Sequence, residues 1–221
     1  TTLSSSLKAV QSEKTNIITI EDPIEYQIPG VNQTQINDKI KLTFASALRS
    51  ILRQDPDIIM VGEIRDTETA EYAVQAALTG HLVLSTLHTN DAPSSITRLL
   101  DLKVPAFLIT STVLGILAQR LVRAICTHCA EEYGPSLEEA LALGIDFGTL
   151  SQRTLKRGKG CLHCRQTGYS GRDGIFEILP MSAALRRLVS EHADSIAPGP
   201  NRDAVVCAPD STTATMGGPR S

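Results

Sequence analysis

Apolar positions along the chain alternate between helical and extended spacing. Leu3, Leu7 and Val10 fall on one stripe, which predicts a helix over Thr2–Gln11. Asn16–Ile20 is a β-branched apolar run, and Pro23 in Glu21-Asp22-Pro23 ends it by removing a backbone donor and fixing φ. Phe44–Arg53 has helical spacing with Thr43 as its candidate N-cap. Ile58–Val61 is a continuous apolar strand, Thr67–Leu78 a helix with Gly80 just past its end, and His81–Leu87 a further strand. Pro93–Leu102 and Pro105–Ala118 are predicted as helices that open near a proline.

Apolar strands without clean alternation, separated by helices, predict an α/β fold with a mostly parallel sheet covered on both faces. In such sheets the reacting groups gather beyond the carboxyl ends of the strands. Ile17–Ile20 runs into Glu21-Asp22, Ile58–Val61 into Gly62-Glu63, and Leu82–Leu87 into His88, so these side chains are expected near one crevice.

The pattern changes at Cys126. Residues 126–197 carry two Cys pairs, several glycines, a helix-like Leu137–Leu143 and an amphipathic Ser182–Ser190, and they read as a small subdomain appended to a core of residues 1–125. After Ala197 the chain turns to Pro198-Gly199-Pro200 and then to Ser, Thr, Ala and Gly, so residues 198–221 are expected to be a disordered tail.

Composition narrows the function classes. A net charge of -3 removes the bulk electrostatic argument for a nucleic-acid partner, and an aromatic content of 4% argues against base-stacking platforms. The longest uncharged run, Val104–Gln119, is too short for a membrane span and is interrupted by Thr110, Ser111 and Thr112, so it reads as a buried helix. No basic and apolar leader marks secretion. Without such a signal, five cysteines with four in C-x-x-C pairs favour a metal over disulfides. Cys126, Cys129, Cys161 and Cys164 offer four thiolates for a tetrahedral Zn²⁺, a closed and therefore structural site. His128 and His163, inside the knuckles, read as bystanders, and Cys207 as a lone thiol.

An apolar strand ending in an acid, as at Gly62-Glu63, has the Walker B layout, in which the acid activates water or helps to hold Mg²⁺. Glu21, Asp22 and Glu25 place three carboxylates within five residues, and these repel unless a cation or several donors share the site; Glu21 and Glu25, either side of Pro23, are the better candidates. His88, at a strand's carboxyl end, suits a phosphate-sensing role, while His81 at the other end reads as structural or as part of subunit coupling. Arg49, Arg53 and Arg65 lie beside the candidate site, where a guanidinium suits phosphate contact or a surface ion pair.

Ile58-Ile59-Met60-Val61-Gly62-Glu63-Ile64-Arg65-Asp66, together with Ile20–Gln27 and with Thr79-Gly80-His81 through Asn90, resembles the secretion and pilus ATPase superfamily. The type II secretion ATPase is the nearest branch and the type IV pilus assembly ATPase a near relative; the resemblance runs from Thr1 to about Ala197. It implies a RecA-like P-loop NTPase core with a zinc-binding subdomain, and ATP, Mg²⁺ and Zn²⁺ as cofactors. It also implies Glu63 as catalytic base, Glu21 and Glu25 at the Mg²⁺-nucleotide, and Arg65 and His88 near the phosphates. The complete motor would be a cytoplasmic homo-hexamer, peripheral to the bacterial inner membrane through its secretion-platform proteins, driving pseudopilus assembly without a nucleic-acid partner. Pilus assembly and DNA uptake remain open within the family, and a non-catalytic zinc-stabilised interaction module outside it. No G-x-x-x-x-G-K-[ST] loop occurs in the chain. Thr1-Thr2-Leu3 matches the residues immediately after that loop in the family, so the core is expected to be truncated, without the P-loop and its strand, and inactive alone.

Overall fold

The structure is a computed structural model that describes residues 2–191; the expected tail and Cys207 lie outside the described residues. One compact unit takes the chain up to Ala118 and again from Phe176, and a second is formed by Gln119–Ile175.

The first unit is built on a four-stranded parallel sheet, ordered β2-β1-β3-β4. Its strands are β1 (Ile17–Glu21), β2 (Asn32–Gln35), β3 (Ile58–Val61) and β4 (Leu82–Ser85). Alternation of side chains divides the core in two. Ile18, Ile20, Ile59 and Val61 pack with α2 (Phe44–Ile51), α3 (Thr67–Leu78), α4 (Ala92–Asp101) and α5 (Ala106–Thr112). Ile17, Ile58, Met60 and Leu84 pack with Leu3, Leu7 and Val10 of α1 (Thr2–Val10) on the other face. Both faces of the central strands are therefore covered, and every residue of β3 is buried.

Short polar caps set the helix starts. Thr43 and Ser46 form a capping box at α2, Asp66 accepts from Thr69 N at α3, and Asp91 accepts from Ser94 N at α4. Each cap satisfies backbone donors that the first helical turn leaves without partners.

Two expectations need correction. The predicted helix over Pro105–Ala118 stops at Thr112, and the chain extends from Gly115 as the long strand β5 (Gly115–Ile125). β-branched Thr112 and Val113, followed by Gly115, favour that break. The strand expected over His81–Leu87 covers only Leu82–Ser85, so both histidines lie outside it.

The second unit holds β6 (Ala130–Tyr133), α6 (Leu137–Leu143), α7 (Phe147–Leu150) and β7 (Leu155–Gly158), with β6 and β7 antiparallel. A Ser136–Glu139 capping box opens α6, and Gly144 ends it in the left-handed region at φ 63°. β5 pairs with β8 (Tyr169–Pro180), and the chain leaves the first unit along β5 and returns to it along β8. The segment 126–197 is thus divided: α8 (Ala183–Glu191) belongs to the first unit, where Val189 joins the larger core cluster. No helix among the described residues is long and apolar enough to cross a membrane.

Candidate functional site

Because all four strands of the sheet run parallel, their carboxyl ends share one edge. A cleft of about 210 Å³ opens there, lined by Glu21, Asp22, Glu25, Gly62 and Glu63 together with Leu3, Ser4, Tyr26, Phe44 and Met60. The acids expected from the sequence are therefore brought together from two strand ends and one loop. Arg49 and Arg53 are not among the lining residues.

Glu63 follows β3. Its Oε2 accepts from Arg65 Nε at 2.5 Å and stands 2.9 Å from His88 Nε2. The Glu63 side chain is 13% exposed, whereas those of Arg65 and His88 are 65% and 80% exposed, so a shielded acid meets a guanidinium and an imidazole that reach in from solvent. Burial pushes the Glu63 carboxyl up, but the bonds from Arg65 and His88 outweigh it and hold the carboxyl below its ordinary range. A depressed folded pKa contributes stability that is complete above the unfolded value, about 4.3, and is lost as pH falls through the folded one. The Tm difference between the native chain and Arg65→Ala should therefore be largest above about pH 5 and shrink toward pH 3, remaining small throughout because Arg65 is solvated. Thermal melts across that range test it, and a difference independent of pH would contradict the pairing.

One residue that the sequence did not single out holds this end of β3. Thr86 Oγ1 donates to Gly62 O at 2.7 Å, and Ile64 N donates to Thr86 O at 3.0 Å, clamping the turn that presents Glu63. Gly62 N donates to Ile20 O at 2.7 Å. A Cβ on Gly62 would lie 3.0 Å from Ile20 O and 3.5 Å from Glu21 Cα, both backbone atoms that cannot rotate away. A side chain at position 62 would press β1 and β3 apart by a few tenths of an ångström. Gly62→Ala should destabilise the first unit by about 1–3 kcal/mol, read from the denaturant midpoint, and a change below about 0.5 kcal/mol would show that the strands can part freely.

Glu21 is held differently. Its Oε1 accepts from the hydroxyl of fully buried Thr19 at 2.6 Å and from Gln33 Nε2 at 2.8 Å. Glu25 is exposed on the loop after the cis Asp22–Pro23 peptide. His81 Nδ1 stands 2.9 Å from Ala76 O and 3.0 Å from Thr79 Oγ1, which ties it to the C-terminal end of α3, away from His88.

The second unit carries a separate centre. Sγ atoms of Cys126, Cys129, Cys161 and Cys164 all lie within 4.8 Å of one another. Three of the separations are 3.7–3.8 Å. A tetrahedron with metal–sulfur bonds of about 2.3 Å has edges of about 3.8 Å, so the four sulfurs fit one tetrahedral metal ion. Gly160 N, Cys161 N and Gly168 N donate to the sulfurs at 3.2–3.3 Å, as expected of groups that stabilise thiolate charge. Burial raises both Cys129 and Cys164. At Cys164 the donors Cys161 N and Gly168 N bring the thiol down to about 6, while at Cys129 the neighbouring sulfurs add to the rise, to about 12. Sulfurs this close cannot all ionise unless a cation shares them. Gly158 and Gly168 face each other so closely that a Cβ on either would enter the other's backbone. His128 and His163 stack at 4.1 Å and are not among the four sulfur ligands.

The family model of the type II/IV secretion system protein matches residues 1–203. Type II secretion system protein E of Pseudomonas aeruginosa is 54% identical over 189 residues, covering 86% of this chain and 37% of that protein. The type IV pilus assembly ATPase TfpB of Acinetobacter baylyi is 54% identical over 194 residues, covering 88% of this chain and 33% of its own. The chain thus spans about a third of the length of these relatives. Among solved structures, the pilus retraction motor PilT with bound ADP aligns at a TM-score of 0.62 with 34% identity, over 87% of this chain and 47% of PilT. The Yersinia pseudotuberculosis ATPase DotB shares the fold at a TM-score of 0.60 and 23% identity, over 88% of this chain and 43% of DotB. The parallel α/β core and the match across residues 1–203 place the chain in the type II/IV secretion system protein family.

Proposed function

We propose that this chain is part of the motor ATPase of a type II secretion system, coupling ATP hydrolysis to pseudopilus assembly. The observation that carries this reading is the cleft at the carboxyl edge of the sheet, where Glu21, Glu25 and Glu63 converge. Glu63 would orient and activate the attacking water, and Glu21 and Glu25 would serve the Mg²⁺-nucleotide. Arg65 and His88, which hold Glu63 here, would report on the γ-phosphate. Mg²⁺ would supply Lewis-acid stabilisation of the phosphates.

Zn²⁺ is the metal proposed for the four cysteines, since an all-thiolate tetrahedron with no open position is its structural site. On this reading the whole motor is a cytoplasmic homo-hexamer, attached to the inner membrane through platform proteins. The chain has no G-x-x-x-x-G-K-[ST] loop to cradle phosphates, and by itself it hydrolyses no ATP.

A second reading within the family, type IV pilus assembly, is favoured by the 54% identity to the Acinetobacter baylyi pilus assembly ATPase. The test is to measure ATP turnover and secretion or piliation by a protein carrying this segment behind a phosphate-binding loop. Loss of secretion alone selects the first reading, and loss of pili alone the second. Retention of all three with Glu63→Gln would overturn both.

A further inference from the structure

We propose that Gln33, on the edge strand β2, is a positioning residue that sets the Glu21 carboxylate and the Glu25-bearing loop as one rigid acidic wall of the cleft. The proposal rests on the nucleotide-binding reading above and deepens it.

A single side-chain amide makes three bonds across this wall. Gln33 Nε2 donates to Glu21 Oε1 at 2.8 Å and to Tyr26 O at 3.0 Å, and its Oε1 accepts from Ile28 N at 2.8 Å. The chemistry of the partners allows one orientation of the amide. Turned over, its oxygen would face two acceptors and its NH₂ would face an N–H donor. One group therefore fixes the end of β1 and two points of the following loop, with Glu25 between them in sequence.

The register explains why residue 33 performs this role. Thr19 lies opposite Gln33, and Glu21 opposite Gln35, in the parallel β1–β2 pairing. Residues 19, 21 and 33 share a face, because side chains alternate along each strand. Thr19 reaches Glu21 along its own strand, Gln33 reaches it from the neighbouring strand, and Gln35 Oε1 adds a bond from Ile24 N at 3.3 Å.

The kind of donor matters as much as the geometry. Glu63 is held by Arg65 and His88, which offset its charge when the imidazole is protonated. Glu21 is held by a hydroxyl and an amide, both neutral. It is oriented without being discharged, and both bonds fall on Oε1. Neither partner brings a positive charge into the cleft to compete with a cation, as a lysine or arginine at position 33 would.

The test uses the protein that carries the full chain behind a phosphate-binding loop, with Mn²⁺-ATP as the probe. Gln33→Met keeps the length of the side chain and removes its hydrogen bonds. It should speed amide exchange at Ile28 and weaken Mn²⁺-ATP binding about 5- to 10-fold. In a Glu21→Gln background it should weaken binding no further, since the group being positioned has gone. Unchanged exchange at Ile28 would overturn the proposal. So would equal weakening in both backgrounds, or unchanged affinity where Glu21→Gln itself binds less. If neither variant changes the affinity while Ile28 exchange quickens, the nucleotide reading fails and this proposal with it. If Gln33→Met does not fold, the native chain decides. The Gln33 side-chain NH₂ signals should broaden with Mn²⁺-ATP and exchange faster in Glu21→Gln. Sharp signals in a chain that binds Mn²⁺-ATP would overturn the proposal.

Discussion

Stripping the metal from the cysteine site should unfold Gln119–Ile175 while the parallel sheet survives. That unit has almost no apolar interior: among its described residues Cys126, Pro135, Ala140, Leu150, Cys164 and Gly168 are buried, and two of these carry the candidate metal-ligating sulfurs. A segment of this size cannot close a hydrophobic core on a proline, an alanine and a leucine. A structural zinc contributes on the order of 10–16 kcal/mol of apparent binding free energy at neutral pH, and here most of it becomes folding free energy. Metal analysis should give about one Zn²⁺ per chain. A strong chelator, or Cys164→Ser, should abolish amide protection in β6 and β7 and expose the segment to protease, with β1 and β3 still protected. A metal content below half an ion per chain, or β6 and β7 still protected without metal, would overturn the assignment.

Glu63→Gln should lower ATP turnover about 10²- to 10⁴-fold in a protein that joins this segment to a phosphate-binding loop, the range associated with losing a positioned acid–base group. Nucleotide affinity should change only a few-fold, because the amide keeps the shape and removes proton acceptance and charge. The substitution also releases Arg65 and His88 from their ion pairs, so a modest rise in affinity for the triphosphate over the diphosphate accompanies the loss of turnover. Turnover within about three-fold of the native protein would remove Glu63 from the proposed role.

Elements with buried, uniform strands or polar caps were legible in the sequence. β3, α2 and α3 appear where apolar runs and the residues Thr43 and Gly80 indicate, and α6 matches Leu137–Leu143 residue for residue. β2 could not be read, because Asn32-Gln33-Thr34-Gln35 has no apolar alternation; it is an edge strand whose side chains bind a loop instead of filling a core. The uncharged run from Val104 misled for the opposite reason: apolar character continues through Thr112, while the period changes from helical to extended near Gly115. At the cleft, charge made Glu21, Glu25 and Glu63 visible. Thr19, Gln33 and Thr86 are neutral, belong to no recognised spacing and act through uncharged hydrogen-bonding groups, so only the folded geometry identifies them. The sulfur centre was readable because each C-x-x-C places two ligands on one tight turn, although the distance between the pairs required the folded chain.

The double passage of the chain, out along β5 and back along β8, has a thermodynamic consequence. The cysteine-bearing unit is an insertion, so when it is unfolded its ~57 residues form a loop whose ends β5 and β8 must still hold together. Closing a flexible loop of that length costs about 3–4 kcal/mol of chain entropy. That amount is a sizeable share of the stability of an ordinary domain. Removal of the metal proposed for the four cysteines should therefore loosen the pairing of β5 with β8, and with it the docking of α8 on α5, without touching any residue of the cleft.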